Sequence, residues 1–173
     1  MIVFTIVFGK LAKINSDGVP YAIFSYTALV PWTYFSGALT GASGSLLGAS
    51  GMMTKVYFPR LVIPIAPVMS KLVDFGIAFV ILLLMMVYFG FMPSIQIIYL
   101  PLLILIMMIT ASGMGMWLTA MAVQYRDINY AMSFFVQLLM YAAPVVYPAS
   151  IIPEPFRLIY GCFPMVGVIE GFR

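Results

Sequence analysis

The chain has 173 residues, of which 64% are hydrophobic and 8% charged; eight Lys and Arg against five Asp and Glu leave a net charge of +3. A mean hydropathy of +1.13 excludes a water-exposed globule, because so few charges cannot cover a surface of that size. There is no His and a single Cys, Cys162, which excludes histidine proton relays, histidine-bound metals and an intrachain disulfide; the scattered acids suggest no other metal site, and no basic face exists for nucleic acid.

The apolar runs do not alternate, as 77–91 shows, so they predict membrane helices rather than barrel strands. Residues 1–9 are half a span long and carry neither a basic n-region nor a cleavage site. They read as the second half of a helix whose beginning is missing. Turn formers fill 10–20. Residues 21–47 form the first full apolar segment, which Pro31 either kinks or, beside Trp32, marks as an interfacial entry. Its second half is rich in small residues, with Gly37/Gly41 and Gly44/Gly48 in GxxxG spacing. Close helix–helix packing within the chain is expected there, in preference to a dimer seam.

A polar loop over 48–61 follows. Residues 61–90 are too long for one upright span, and Pro64 and Pro67 divide them: 56–67 is expected at the membrane surface and a helix over 68–90. Lys71 and Asp74 then fall in the first two turns as i,i+3 neighbours. An intramembrane ion pair is a functional candidate, and a snorkelling structural pair near the membrane edge is its plain alternative. After a turn over 90–96 come a span over 97–123, with a small-residue patch at 111–117, a polar loop over 124–130 and a span over 131–147. The prolines of 148–164 forbid a continuous helix and predict two short helices or re-entrant pieces at one membrane face, with Glu154 capping one that starts at Pro155.

The sum is an all-α integral membrane protein, a polytopic bundle of four full spans, a partial first span and a broken, re-entrant-like C-terminal element in one transmembrane domain over 1–173. Its ends look cut. Lys10, Lys13, Arg157 and Arg173 fall on one side; Lys55, Arg60 and Arg126, with Lys71 if interfacial, fall on the other. Charge alone therefore does not orient it.

Four separated stretches resemble the permease subunits of bacterial polysaccharide-exporting ABC transporters: 26-YTALVPWTYFSGAL-39, 54-TKVYFPRLVIPIAPVMSKLVDF-75, 124-QYRDINYAMSFFVQLLMYAAPVVYP-148 and 163-FPMVGVIEGFR-173. Members of that family carry a cytosolic amphipathic helix before the first span and a sixth span after the broken element, both absent here, and Phe163 replaces their Asn. The resemblance implies a dimeric permease that, with two nucleotide-binding ATPase subunits, moves a lipid-linked polysaccharide of O-antigen or capsule type across the bacterial inner membrane. It also implies cytosolic loops at 48–61 and 124–130 and outward-facing segments at 10–20 and 148–173.

No GxxxxGK[ST] occurs and no nucleophile–base pair is suggested, so the chain is not expected to be an enzyme or to hold a cofactor. ATP and magnesium would be bound by the partner subunit. Lys55, Tyr57, Phe58, Pro59 and Arg60 are the first candidate ATPase-docking group, Tyr57 and Phe58 as apolar anchors and Arg60 as a planar fork; an ordinary basic loop with interfacial aromatics is the alternative. Tyr125, Arg126 and Asp127 form the second, with a simple ion pair between helices as its alternative. Tyr26, Tyr34, Tyr130 and Tyr141 are candidates for a sugar pathway, since tyrosine offers both a stacking face and a hydroxyl, although aromatic belts against membrane lipid explain such residues too. Pro148, Pro153, Glu154 and Arg157 would form an outer gate. Teichoic acid or another polymer as cargo, or a passive pore or scaffold without an ATPase, are the competing functions.

Overall fold

A computed structural model describes residues 21–49, 51, 59, 61–90, 98–125, 127–143, 145, 161 and 163–172. Five helices occupy most of them: α1 (Tyr21–Gly48), α2 (Val62–Tyr88), α3 (Leu100–Gln124), α4 (Asp127–Ala142) and α5 (Pro164–Phe172). Among the described residues there is no strand.

α1 is the hub and packs against the other four helices. Its 28 residues, roughly 42 Å at 1.5 Å per residue, are rich in Ser, Thr and Gly, and the hydroxyls are absorbed locally. Thr27 donates to the Ile23 carbonyl (2.8 Å), Thr33 to Val30 (2.9 Å), Thr40 to Ser36 (2.8 Å) and Ser45 to Ala42 (2.7 Å). Such back-bonds remove the donors that an apolar environment would penalise. The opposite side of α1, with Ala28, Phe35, Ala38, Leu39 and Ala42, is fully enclosed.

Small residues set the crossings. A Cβ on Gly41 would stand 2.9 Å from Cβ of Pro67, and one on Gly37 would stand 3.2 Å from Cδ of Lys71, so α1 and α2 meet antiparallel across the first GxxxG. Nothing approaches Gly44 or Gly48, so the second GxxxG serves no contact among the described residues. Against α3, a Cβ on Gly115 would stand 2.9 Å from Cβ of Ala42. The Thr119 hydroxyl lies 2.8 Å from the Ala42 carbonyl and 2.6 Å from that of Gly115, tying the two helices where they approach most closely.

Two boundaries differ from the expected ones. α2 begins at Val62, not after Pro67. Pro64 lies in the first turn, where a missing N–H costs nothing, and Pro67 is accommodated inside the helix; the prolines shape the helix start without dividing the segment. α4 begins at Asp127, not 131, and ends at Ala142. An acid in the first turn complements the helix dipole, so Asp127 joins the helix and the loop expected over 124–130 is shorter than predicted; Pro144 disfavours continuing the helix. Sixteen residues measure only about 24 Å. α2 closes on Gly90, whose φ of +73° makes it the left-handed terminator and whose N–H donates to Val87 O (3.1 Å).

α5 is short and sunk into the bundle, with Met165, Val166, Val168 and Ile169 buried. An aromatic chain holds it. Phe163 meets Phe35 edge-on at 6.1 Å, near the middle of α1, and Phe172 meets Phe75 and Phe79 at 6.0 and 6.4 Å. Gly171 fits against Leu103, in the first turn of α3. The helix therefore runs from beside the middle of α1 to beside the start of α3.

Candidate functional site

The outward surfaces of the helices differ in kind. α2 and α3 expose large apolar side chains, among them Val73, Ile77, Val80, Leu84, Leu102, Leu105 and Ile109. By length and composition both qualify as membrane spans. α1 exposes Thr33, Thr40, Gly44 and Gly48, with Ser36, Gly37, Gly41 and Ser45 partly open, one stripe without a large apolar residue.

Lys71 and Asp74 border that stripe. Lys71 Nζ lies 2.8 Å from Asp74 Oδ2, and 43% and 65% of the two side chains are exposed. Because α2 starts earlier than expected, Lys71 stands in its third turn and Asp74 in its fourth, about 14 and 18 Å along the axis, instead of in the first two turns. The Lys71 stem lies across Gly37, and its ammonium turns towards Asp74, one turn further from the helix start. Together with Thr33, Tyr34 and Phe75 the pair lines a cleft of about 200 Å³. Tyr34 is 2% exposed and donates to Val68 O at 3.2 Å while its ring meets Phe75 edge-on at 5.8 Å, so it forms the floor.

The four candidate tyrosines are not brought together. Tyr26 and Tyr34 turn into the α1–α2 seam, Tyr26 with its hydroxyl 3.4 Å from Ala78 O. Tyr130 and Tyr141 sit outward on α4 with exposed rings. Sequence reasoning missed Thr33 and Gly37; the glycine spacing signalled a close approach without saying that a lysine stem fills it.

Of the docking candidates, Pro59 is exposed and its carbonyl accepts the Val62 N–H (3.0 Å) that opens α2. Tyr125 and Asp127 are exposed at the α3–α4 junction. Ala42 near the end of α1 packs on Thr119 near the end of α3, so the α1–α2 and α3–α4 connections open at the same end of the bundle. Lys55, Tyr57, Phe58, Arg60 and Arg126 lie outside the described residues, as do the gate candidates Pro148, Pro153, Glu154 and Arg157 and the residues 1–9. Among the described residues no three Asp, Glu or Cys side chains gather to hold a metal.

The family model described as "ABC-2 type transporter" matches residues 1–173. The chain is similar to an O-antigen export system permease protein RfbA of Myxococcus xanthus, 26% identical over 175 residues that cover 100% of this chain and 66% of the relative. It is also similar to one of the same description from Klebsiella pneumoniae, 27% identical over 154 residues covering 88% of this chain and 60% of the relative. The chain thus spans 60% to 66% of the length of these curated relatives.

Proposed function

Because this chain belongs to the ABC-2 type transporter membrane family, we propose that it is the membrane-spanning subunit of an ATP-driven exporter that moves a lipid-linked polysaccharide of O-antigen type across the bacterial inner membrane. The observation that carries this reading is similarity, along 100% and 88% of the chain, to two permeases named for O-antigen export. On this reading α1 to α4 are the four crossings of a multi-pass protein, α4 the shortest of them at 16 residues. The hydropathy of α1 is diluted by its Ser, Thr and Gly because protein, not lipid, surrounds most of it.

The motor is a separate subunit that binds ATP and magnesium, and two copies of the permease assemble with two of them. The end where Pro59, Tyr125 and Asp127 are exposed is the cytosolic one. Lys55, Tyr57, Phe58, Pro59 and Arg60 dock the ATPase together with Tyr125, Arg126 and Asp127, with aromatic anchors and charge-assisted pairs between the subunits. Tyr130 and Tyr141 offer exposed rings that a passing sugar can reach, whereas Tyr26 and Tyr34 act from the seam. Pro148, Pro153, Glu154 and Arg157 belong to an outer gate that α5 continues.

Affinity purification of the full-length protein from its native membrane tests this. A nucleotide-binding subunit is expected in the complex, and deletion of the permease is expected to leave polymer at the cytosolic face of the inner membrane. Purification of the permease without any ATPase, with surface polymer unchanged in the deletion strain, refutes it. The variant Arg60→Glu is expected to insert normally yet lose both export and stimulation of ATP hydrolysis.

A further inference from the structure

Resting on the exporter reading, we propose that the cleft of Thr33, Tyr34, Lys71, Asp74 and Phe75 is a water-filled subsite that hydrogen-bonds the hydroxyls of the passing carbohydrate. Hydrocarbon penalises exposed charge strongly, yet more than half of the Asp74 side chain is open, nearly halfway along an apolar helix. The face that carries it therefore meets water or polar cargo, and the hydroxyl and glycine stripe of α1 continues that face along the bundle.

Hydrogen-bond polarity selects the ligand class. Thr33, Ser36 and Thr40 spend their protons on carbonyls of their own helix, which leaves oxygen lone pairs for an outside partner. Asp74 gives one oxygen to Lys71 and keeps the other. The surface is thus rich in acceptors and holds one cationic donor whose charge is already matched. A phosphate, itself only an acceptor, fits it poorly. A neutral polyol, with a donor and acceptors on every hydroxyl, fits it well. Gly37 makes room for the Lys71 stem: a Cβ there would stand 3.2 Å from Lys71 Cδ, so the stem would have to give by a few tenths of an ångström.

The test uses the full-length permease with its ATPase in inner-membrane vesicles, in a Cys162→Ser background. Thr33→Cys and Thr40→Cys are expected to react with a membrane-impermeant thiosulfonate far faster than Ile77→Cys and Val80→Cys on the apolar face. Replacing both charges by apolar isosteres, Lys71→Met with Asp74→Leu, spares or improves folding of a merely structural pair. Here it is expected to preserve assembly and slow polymer export about tenfold or more, the loss of a charge-assisted contact. Equal reactivity on the two faces, or full export by the double variant, overturns the subsite while leaving the exporter reading intact. A wild-type complex that exports no polymer overturns that reading and the carbohydrate assignment with it.

Discussion

Gly41 and Gly44 are three residues apart on one helix, yet their surroundings are opposite. A Cβ on Gly41 would stand 2.9 Å from Cβ of Pro67, which is held in a ring and cannot swing aside, whereas Gly44 faces open space. Gly41→Ala is therefore expected to lose about 1–3 kcal/mol through overpacking. Gly44→Ala should be neutral or stabilise by up to about 1 kcal/mol through helix propensity. Thermal unfolding of the purified protein in detergent, followed by tryptophan fluorescence, separates the two. Thr119→Val removes the hydroxyl shared with Ala42 and should cost about 0.5–2 kcal/mol in the same assay, the range of interhelical hydrogen bonds in membranes. Such differences were half legible: the GxxxG spacing announced close packing, but two identical motifs in one helix could not reveal which of them has a neighbour.

At the scale of elements, α5 is held by rings and by one close approach. The position of Gly171 beside Leu103 suits a cross-link, since a Cβ there would stand 3.5 Å from Leu103 Cγ. If α5 moves with the outer gate, a Leu103→Cys/Gly171→Cys pair should arrest polymer export when oxidised and restore it on reduction; unchanged export by the oxidised protein, with the cross-link verified on a gel, would show that α5 is static. Phe163 anchors the start of α5, because its ring closes on Phe35. The helix starts at Val62 and Asp127 were misplaced by sequence reasoning for related causes. Prolines and acids read as loop formers, yet both are favoured in a first helical turn.

For the whole molecule, the decisive geometry is that the α1–α2 and α3–α4 connections share one end. Single cysteines replacing Pro59 and Tyr125, with Cys162 changed to Ser, should be labelled by an impermeant maleimide from one side of the membrane only. A cysteine replacing Tyr99, exposed at the opposite end of α3, should be labelled from the other. Labelling of Pro59→Cys and Tyr125→Cys from opposite sides would break the docking scheme. The sequence by itself determined that the chain is helical and membrane-bound, because uninterrupted apolar runs admit no other way to satisfy the backbone, and its separated motifs were enough to suggest the family. Only the tertiary structure decided which helix is central and which face is polar. A helix apolar on nearly every side has no periodicity to read, so its orientation comes from where glycines let backbones approach and where a lysine finds room to lie down.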